Sequence, residues 1–268
     1  MHVHFLDPYR PRSSIIHQLD PRVKLVVTVA FILTNALLPT GSWPVYILLF
    51  ALILSVEMLS NLGVTYVLKR TVLALPFMLA ALPLILTTPG DYIFRLPVGH
   101  WMISPTFSGL ERIISLSLKS WLSIQAAIVL AASTPFPELL VAMRAIGVPR
   151  LLVSIFGLMW RYLFVLVDES IRLLRARAAR SGVSGDPDAK AGGSLMWRAR
   201  VAGGMAGNLL VRGFERSDRI YMAMVSRGFD GEIRSLPLPS IRAIHWVVLV
   251  GCISVLAMLI LFAYLVGG

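Results

Sequence analysis

A single cysteine, few acidic residues and no phosphate-binding loop narrow what this chain of 268 residues can do. Cys252 stands alone, which excludes an intrachain disulfide and a thiolate metal cluster. The G-x-x-x-x-G-K-[ST] pattern that cradles nucleotide phosphates is missing, so any ATP-driven work must be done by another polypeptide. There is no H-E-x-x-H helix, and the histidines (His2, His4, His17, His100 and His245) are scattered. An extended His2-Val3-His4 would put two imidazoles on one face, but a solvated terminus accounts for the pair more simply. No Ser/His/Asp arrangement can be read, and the acids are too dispersed to nominate an acid/base pair.

What the chain does contain is apolar. Hydrophobic residues make up 57% and charged residues 15%, with a mean hydropathy of +0.77, outside the range of an ordinary soluble domain. The composition is that of an integral membrane protein. The net charge of +11 sits beside apolar spans and not in a soluble groove or stacking platform, so nucleic acid is not an expected partner. The positive excess reads instead as the cytoplasmic bias that sets topology. Met1 to Lys24 is polar, carries Pro8, Pro11 and Pro21, and leads into no cleavable signal; the first span is expected to act as its own insertion signal.

In order, the spans expected are Val23 to Leu38, starting near Pro21; Pro44 to Leu62; Val72 to Thr88, bent by Pro76 and Pro83; and Leu110 to Ser133. Lys69-Arg70 is expected in a short basic loop. Glu57 lies near the end of the second span, and a carboxylate in hydrocarbon costs roughly 2.5 to 3.5 kcal/mol. An interfacial position, or a pair with Lys69 or Arg70, is the favoured account. Pro89 to Gly109 resembles an external loop with interfacial aromatics. The fourth span carries Glu111, Arg112, Lys119, Gln125 and several serines, so it should pack inside the protein. Glu111, Arg112 and Lys119 are also the best candidates for a polar site, should the chain be a membrane enzyme acting on lipid.

The pattern changes after Pro135. Phe136 to Ile146 is a short amphipathic helix, stopped by Gly147. Leu151 to Arg180 reads as about 30 residues of helix, roughly 45 Å long. Arg161 weighs against a full crossing by 151–167, which favours a helix along or obliquely into the membrane surface. Asp168 and Glu169 precede Arg172 in a favourable order for helical ion pairs. After a linker at Gly182 to Gly193, a helix from about Leu195 to Arg227 places Leu210, Phe214, Ser217, Tyr221 and Met224 on an apolar seam. Arg212, Glu215, Arg216 and Arg219 form its charged face. Pro137 to Arg242 holds 16 of the 25 Lys and Arg residues and 9 of the 14 acids, so +7 of the net +11 lies here. That bias places the insert, and with it the N-terminus, in the cytoplasm. Pro237 and Pro239 lead to a last span, Ala243 to Val266.

The expected fold is therefore all-α: a multipass integral membrane protein with about five transmembrane helices, six if 151–167 crosses, and a cytoplasmic pair of long helices. Its parts are a cytoplasmic N-terminal segment (1–22), transmembrane helices 1 to 4 (23–133), the helical insert (134–242) and a C-terminal transmembrane helix (243–268). Both long helices end in similar triplets, Ala179-Arg180-Ser181 and Ser226-Arg227-Gly228. Each triplet alone is weak evidence, since cations suit helix C-termini and Gly228 is an ordinary stop. The pair, in one insert, is more specific.

These residues resemble a known family: the transmembrane T component of energy-coupling factor (ECF) transporters, cobalt/nickel type, often called CbiQ. The carriers are Ser14-Ile15-Ile16-His17-Gln18-Leu19-Asp20-Pro21-Arg22-Val23-Lys24-Leu25, the run Met143-Arg144-Ala145-Ile146-Gly147-Val148-Pro149, Arg161-Tyr162-Leu163-Phe164, and the two Arg triplets. The resemblance covers essentially the whole chain. It implies that Arg180 and Arg227 enter grooves on two ABC-type ATPases, with Ala179, Ser181, Ser226 and Gly228 beside them. It further implies a substrate-binding membrane subunit as a second partner, and residence in the bacterial inner membrane among lipid. No cofactor would be bound by this chain, ATP and Mg being used by the ATPases. The role implied is non-catalytic coupling for uptake of a divalent metal ion, cobalt before nickel, with vitamin transport more distant. A conventional ABC permease would instead use one coupling loop and line its own substrate path.

Overall fold

A computed structural model describes residues 8–89, 96–98, 101–103, 106–180, 194–231 and 241–266. In chain order its helices are α1 (Ile15–Gln18), α2 (Pro21–Leu37), α3 (Trp43–Leu59), α4 (Val64–Thr71), α5 (Leu75–Ala80), α6 (Leu84–Thr87), α7 (Phe107–Ser133), α8 (Phe136–Ala145), α9 (Arg150–Arg180), α10 (Leu195–Val225) and α11 (Ala243–Val266). The fold is all-helical apart from a short antiparallel ladder, β1 (Leu96–Val98) against β2 (Trp101–Ile103), with Pro97 opposite Met102. The linker Gly182 to Gly193, the His2-Val3-His4 pair, Pro237 and Pro239, and most of the aromatic loop lie outside the described residues.

The chain divides into two compact units, residues 8–146 with 238–268, and residues 147–237 with 1–7. In the larger unit α2 is the hub, packing on α7, α8 and α11. Pro21 opens α2, and the Asp20 carboxylate accepts from the Arg22 N–H at 2.9 Å, a cap for an N–H with no helical partner. α2 runs antiparallel to α7, and polar groups tie the two at both ends. Lys24 Nζ donates to the carbonyls of Ser133 (3.1 Å) and His17 (3.4 Å). Asn35 Nδ2 donates to the Lys119 carbonyl (2.7 Å) and to Ser123 Oγ (2.9 Å). Lys119 Nζ donates to the carbonyls of Ala36 and Leu38, which satisfies orphan groups at the end of α2. Lys24 is only 7% exposed, so it acts as a buried cap for α7.

Between these ties, Val45, Leu49 and Ile53 of α3 meet Leu122 and Ala126 of α7 in the main core, joined by Phe31, Leu256 and Ala263. Phe50 stacks on Trp121 with centroids 5.4 Å apart. α7 packs inside as its composition requires, with Ser115, Gln125 and Ser133 buried. A second cluster, Leu62, Val67, Val129 and Ala132, closes the end where the N-terminal segment lies. There His17 bridges Ser14 Oγ (2.7 Å) and the Arg10 carbonyl (3.1 Å) through its two ring nitrogens.

Two expectations need correction in this unit. Lys69 and Arg70 do not form a loop: they occupy the last turn of α4, because Gly63, at φ +83°, makes the turn and the helix restarts at Val64. Val72 to Thr88 is interrupted rather than smoothly bent, with a 3₁₀ turn at Val72–Ala74, α5, a break at 81–83 and α6. Pro83 sits at that break and removes an amide donor there.

By length and composition α7, α9 and Ala243–Leu265 of α11 can each cross a membrane, and α3 is a shorter apolar helix. The chain is a multipass membrane protein. α9 qualifies despite Arg161, against the expectation of a surface-lying helix.

Candidate functional site

The triplets end the two helices of the smaller unit. Pro149 precedes α9 and its carbonyl accepts from the Val153 N–H at 3.2 Å. Trp160 and Phe164, one turn apart, meet edge to face at 5.0 Å, a pairing that stiffens the middle of the helix. α10 starts at Ser194, whose hydroxyl accepts from the Trp197 N–H at 3.3 Å.

α9 and α10 form an antiparallel hairpin. Arg177 near the end of α9 lies 6.0 Å from the Trp197 ring at the start of α10. Midway, the Glu169 carboxylate receives Arg212 at 3.4 Å and Arg216 at 3.3 Å. At the far end, Leu151, Ser154, Ile155, Leu158, Met159, Tyr162 and Leu166 face Gly213, Ser217, Ile220, Tyr221, Met224 and Phe229 across a mostly apolar groove of about 470 Å³. Each helix has 31 residues, about 45 Å at 1.5 Å per residue. Antiparallel packing therefore sets the two C-termini, and the arginines they carry, at opposite ends of the hairpin.

The second triplet is built by a specific helix stop. The Gly228 N–H donates to the Val225 carbonyl (2.9 Å) and the Phe229 N–H to the Met224 carbonyl (3.0 Å), the paired bonds of a Schellman motif. Gly228 supplies the left-handed residue at φ +79°, and Phe229 and Met224 line the groove together. Arg227 is thus held at the last position before the reversal, and Ser226, Arg227 and Gly228 are all exposed. Ala179 and Arg180 are exposed at the end of α9; Ser181 lies outside the described residues.

The supporting charges are arranged differently from expectation. Glu169 pairs with Arg212 and Arg216 of the opposite helix and not with Arg172 of its own, so these arginines are hairpin ties more than a free charged face. Asp168, Arg172, Glu215 and Arg219 are exposed and not drawn into that contact. On α10, Ser217, Tyr221 and Met224 line the groove, whereas Leu210 and Phe214, expected on the same seam, are 63% and 65% exposed. The inter-helix role of Glu169 and the whole groove-lining face of α9 were missed from sequence, because hydrophobic period gives a helix its faces but not the register against a neighbour.

Lys119 and Glu111 of the bundle have structural surroundings. Lys119 caps α2, and the Glu111 carboxylate lies against Gly41 so closely that a Cβ there would collide with it. Glu57 is neither interfacial nor paired with Lys69 or Arg70: it is 1% exposed within α3, its Oε1 without a hydrogen-bond partner, while its backbone carbonyl accepts from Ser60 Oγ at 2.7 Å. Among the described residues no group of three His, Cys, Asp or Glu is placed to hold a metal ion.

Residues 12–237 match the CbiQ family, described as cobalt transport protein. The chain is 29% identical over 236 residues to the energy-coupling factor transporter transmembrane protein EcfT of Lactococcus lactis, covering 83% of each chain. It is 29% identical over 254 residues to EcfT of Heliobacterium modesticaldum, covering 87% of this chain and 88% of that one. An uncharacterized protein of Methanocaldococcus jannaschii is 26% identical over 262 residues, covering 96% of this chain and 86% of that one.

Proposed function

Because the chain belongs to the CbiQ family of cobalt transport proteins, we propose that it couples ATP hydrolysis by two cytoplasmic ATPases to metal-ion uptake through a separate substrate-binding membrane subunit. It is an energy-coupling transmembrane subunit of an ECF transporter. The observation that carries the finer reading is the placement of Arg180 and Arg227, exposed at opposite ends of one antiparallel helix hairpin. Two docking points about 45 Å apart suit two ATPases better than one. The hairpin and the N-terminus lie in the cytoplasm on this reading, in keeping with the Lys and Arg excess.

The chain's own part is mechanical. A guanidinium makes several hydrogen bonds in a carbonyl- or carboxylate-lined groove, so each arginine is a joint that follows its ATPase. ATP and Mg belong to the ATPases. Closure of the ATPases moves the two ends of the hairpin, and its apolar groove and the exposed Leu210 and Phe214 pass the movement to the substrate-binding subunit. The substrate is a divalent transition metal ion, cobalt first.

The test is the double variant Arg180→Glu, Arg227→Glu. It should remain in the membrane in normal amount, lose co-purification of the ATPases and abolish ATP-dependent uptake. Undiminished co-purification would remove both arginines from the docking role.

A further inference from the structure

One cationic site lies outside the hairpin. The Arg10 N–H donates to the Ala132 carbonyl at 3.0 Å, which pins the N-terminal segment to the end of α7. From there the Arg10 guanidinium carbon reaches 3.7 Å from the centroid of the Tyr66 ring, and the Arg70 guanidinium carbon lies 4.9 Å from the same centroid. The ring attracts each cation, but the two cations repel each other. Among the described residues no acid pairs with either one, and both are exposed. Lys69, also exposed, adds a third positive charge on the same turn. This concentration of positive charge calls for an anion.

The surroundings say which anion. Tyr66 and Arg70 are one helical turn apart, and Leu73, three residues on, continues the same face. Leu73 is 69% exposed, Val72 59% and Leu75 50%. Passing along this face, the cations give way to open apolar surface, the order in which a phospholipid presents its phosphate and its acyl chains. A free phosphate would satisfy the arginines and leave Leu73 uncovered. We infer that Arg10, Tyr66 and Arg70 form a binding site for the phosphate of an anionic phospholipid whose acyl chain lies over Leu73, at the membrane surface where the N-terminal segment sits. Each guanidinium donates to phosphate oxygens through its planar fork, and Tyr66 keeps both forks in place.

The experiment reconstitutes the full-length chain, with its co-purifying subunits, in phosphatidylcholine nanodiscs doped with phosphatidylglycerol. Lipid retained through a detergent wash is read by mass spectrometry. The wild type should hold phosphatidylglycerol above its bulk fraction. Arg10→Gln with Arg70→Gln should lower its relative association about thirtyfold, and Arg70→Gln alone about fivefold. The exposed Arg112→Gln at the other end of α7 should leave retention unchanged, and millimolar inorganic phosphate should not displace the lipid. Equal retention by the single and double variants would overturn the site. Displacement by inorganic phosphate would assign the pair to a free anion and overturn the lipid. The single variant, at an exposed position, keeps the test readable if the double variant is poorly folded.

Discussion

Arg227 owes its position to the glycine after it. Gly228 adopts φ +79°, and a Cβ built there meets nothing within 4 Å, so Gly228→Ala pays only in backbone conformation, about 1 kcal/mol. That strain falls on the Schellman bonds to Val225 and Met224. Faster amide exchange confined to the last turn of α10, with weaker ATPase capture, is the expected outcome; unchanged exchange at Gly228 and Phe229 would mean that the turn does not depend on glycine. Gly228 as a helix stop was legible in sequence because it is a local property. The state of Glu57 was not, since whether a carboxylate one turn from Ser60 reaches water or the core depends on which elements pack against it.

At the scale of the element, one carboxylate ties the hairpin together. Glu169 holds Arg212 and Arg216, whose side chains are 51% and 35% exposed, so each pair is worth no more than about 0.2 to 1 kcal/mol. Glu169→Gln should therefore loosen the hairpin without unfolding it, raising amide exchange in the middle of α9 and α10 while the bundle helices are unaffected. Glu215→Gln, outside the contact, should do nothing; if both variants behave alike, the inter-helix pairs are not what aligns the helices. The helices themselves could be read from their period almost to the residue. Their antiparallel alignment could not, because Glu169 has an equally good arginine partner three residues away on its own helix in Arg172. α4 failed for a related reason: Lys69-Arg70 looks like a loop until Val67 is seen to be buried, which brings the backbone into a helix.

For the whole molecule, the proposed coupling role would divide the work between the two units, the bundle as membrane anchor and the hairpin as the moving joint. In right-side-out membrane vesicles loaded with ATP and carrying the complete complex, cobalt should accumulate, with nickel second, and exchanging the substrate-binding subunit should change the ion preferred while this chain stays the same. Selectivity that followed this chain across such an exchange would place the ion path within it and refute a purely coupling role. The bundle offers few groups for such a path: Lys24, Asn35 and Lys119 are used to cap and join helices.

Composition and hydropathy alone determined that this is a membrane protein, because transfer of apolar surface out of water depends on what the residues are and little on how they are arranged. The missing phosphate loop determined, again locally, that the chain carries no P-loop nucleotide site of its own, and capping and glycine signals located most helix ends. Only the tertiary structure decided which charges are free. It buried Lys24, turned Arg212 and Arg216 inward to Glu169, set Arg10 and Arg70 on one tyrosine ring, and left Arg180 and Arg227 exposed at opposite ends of a hairpin. Charges interact through distances between helices, and a one-dimensional pattern does not contain those distances.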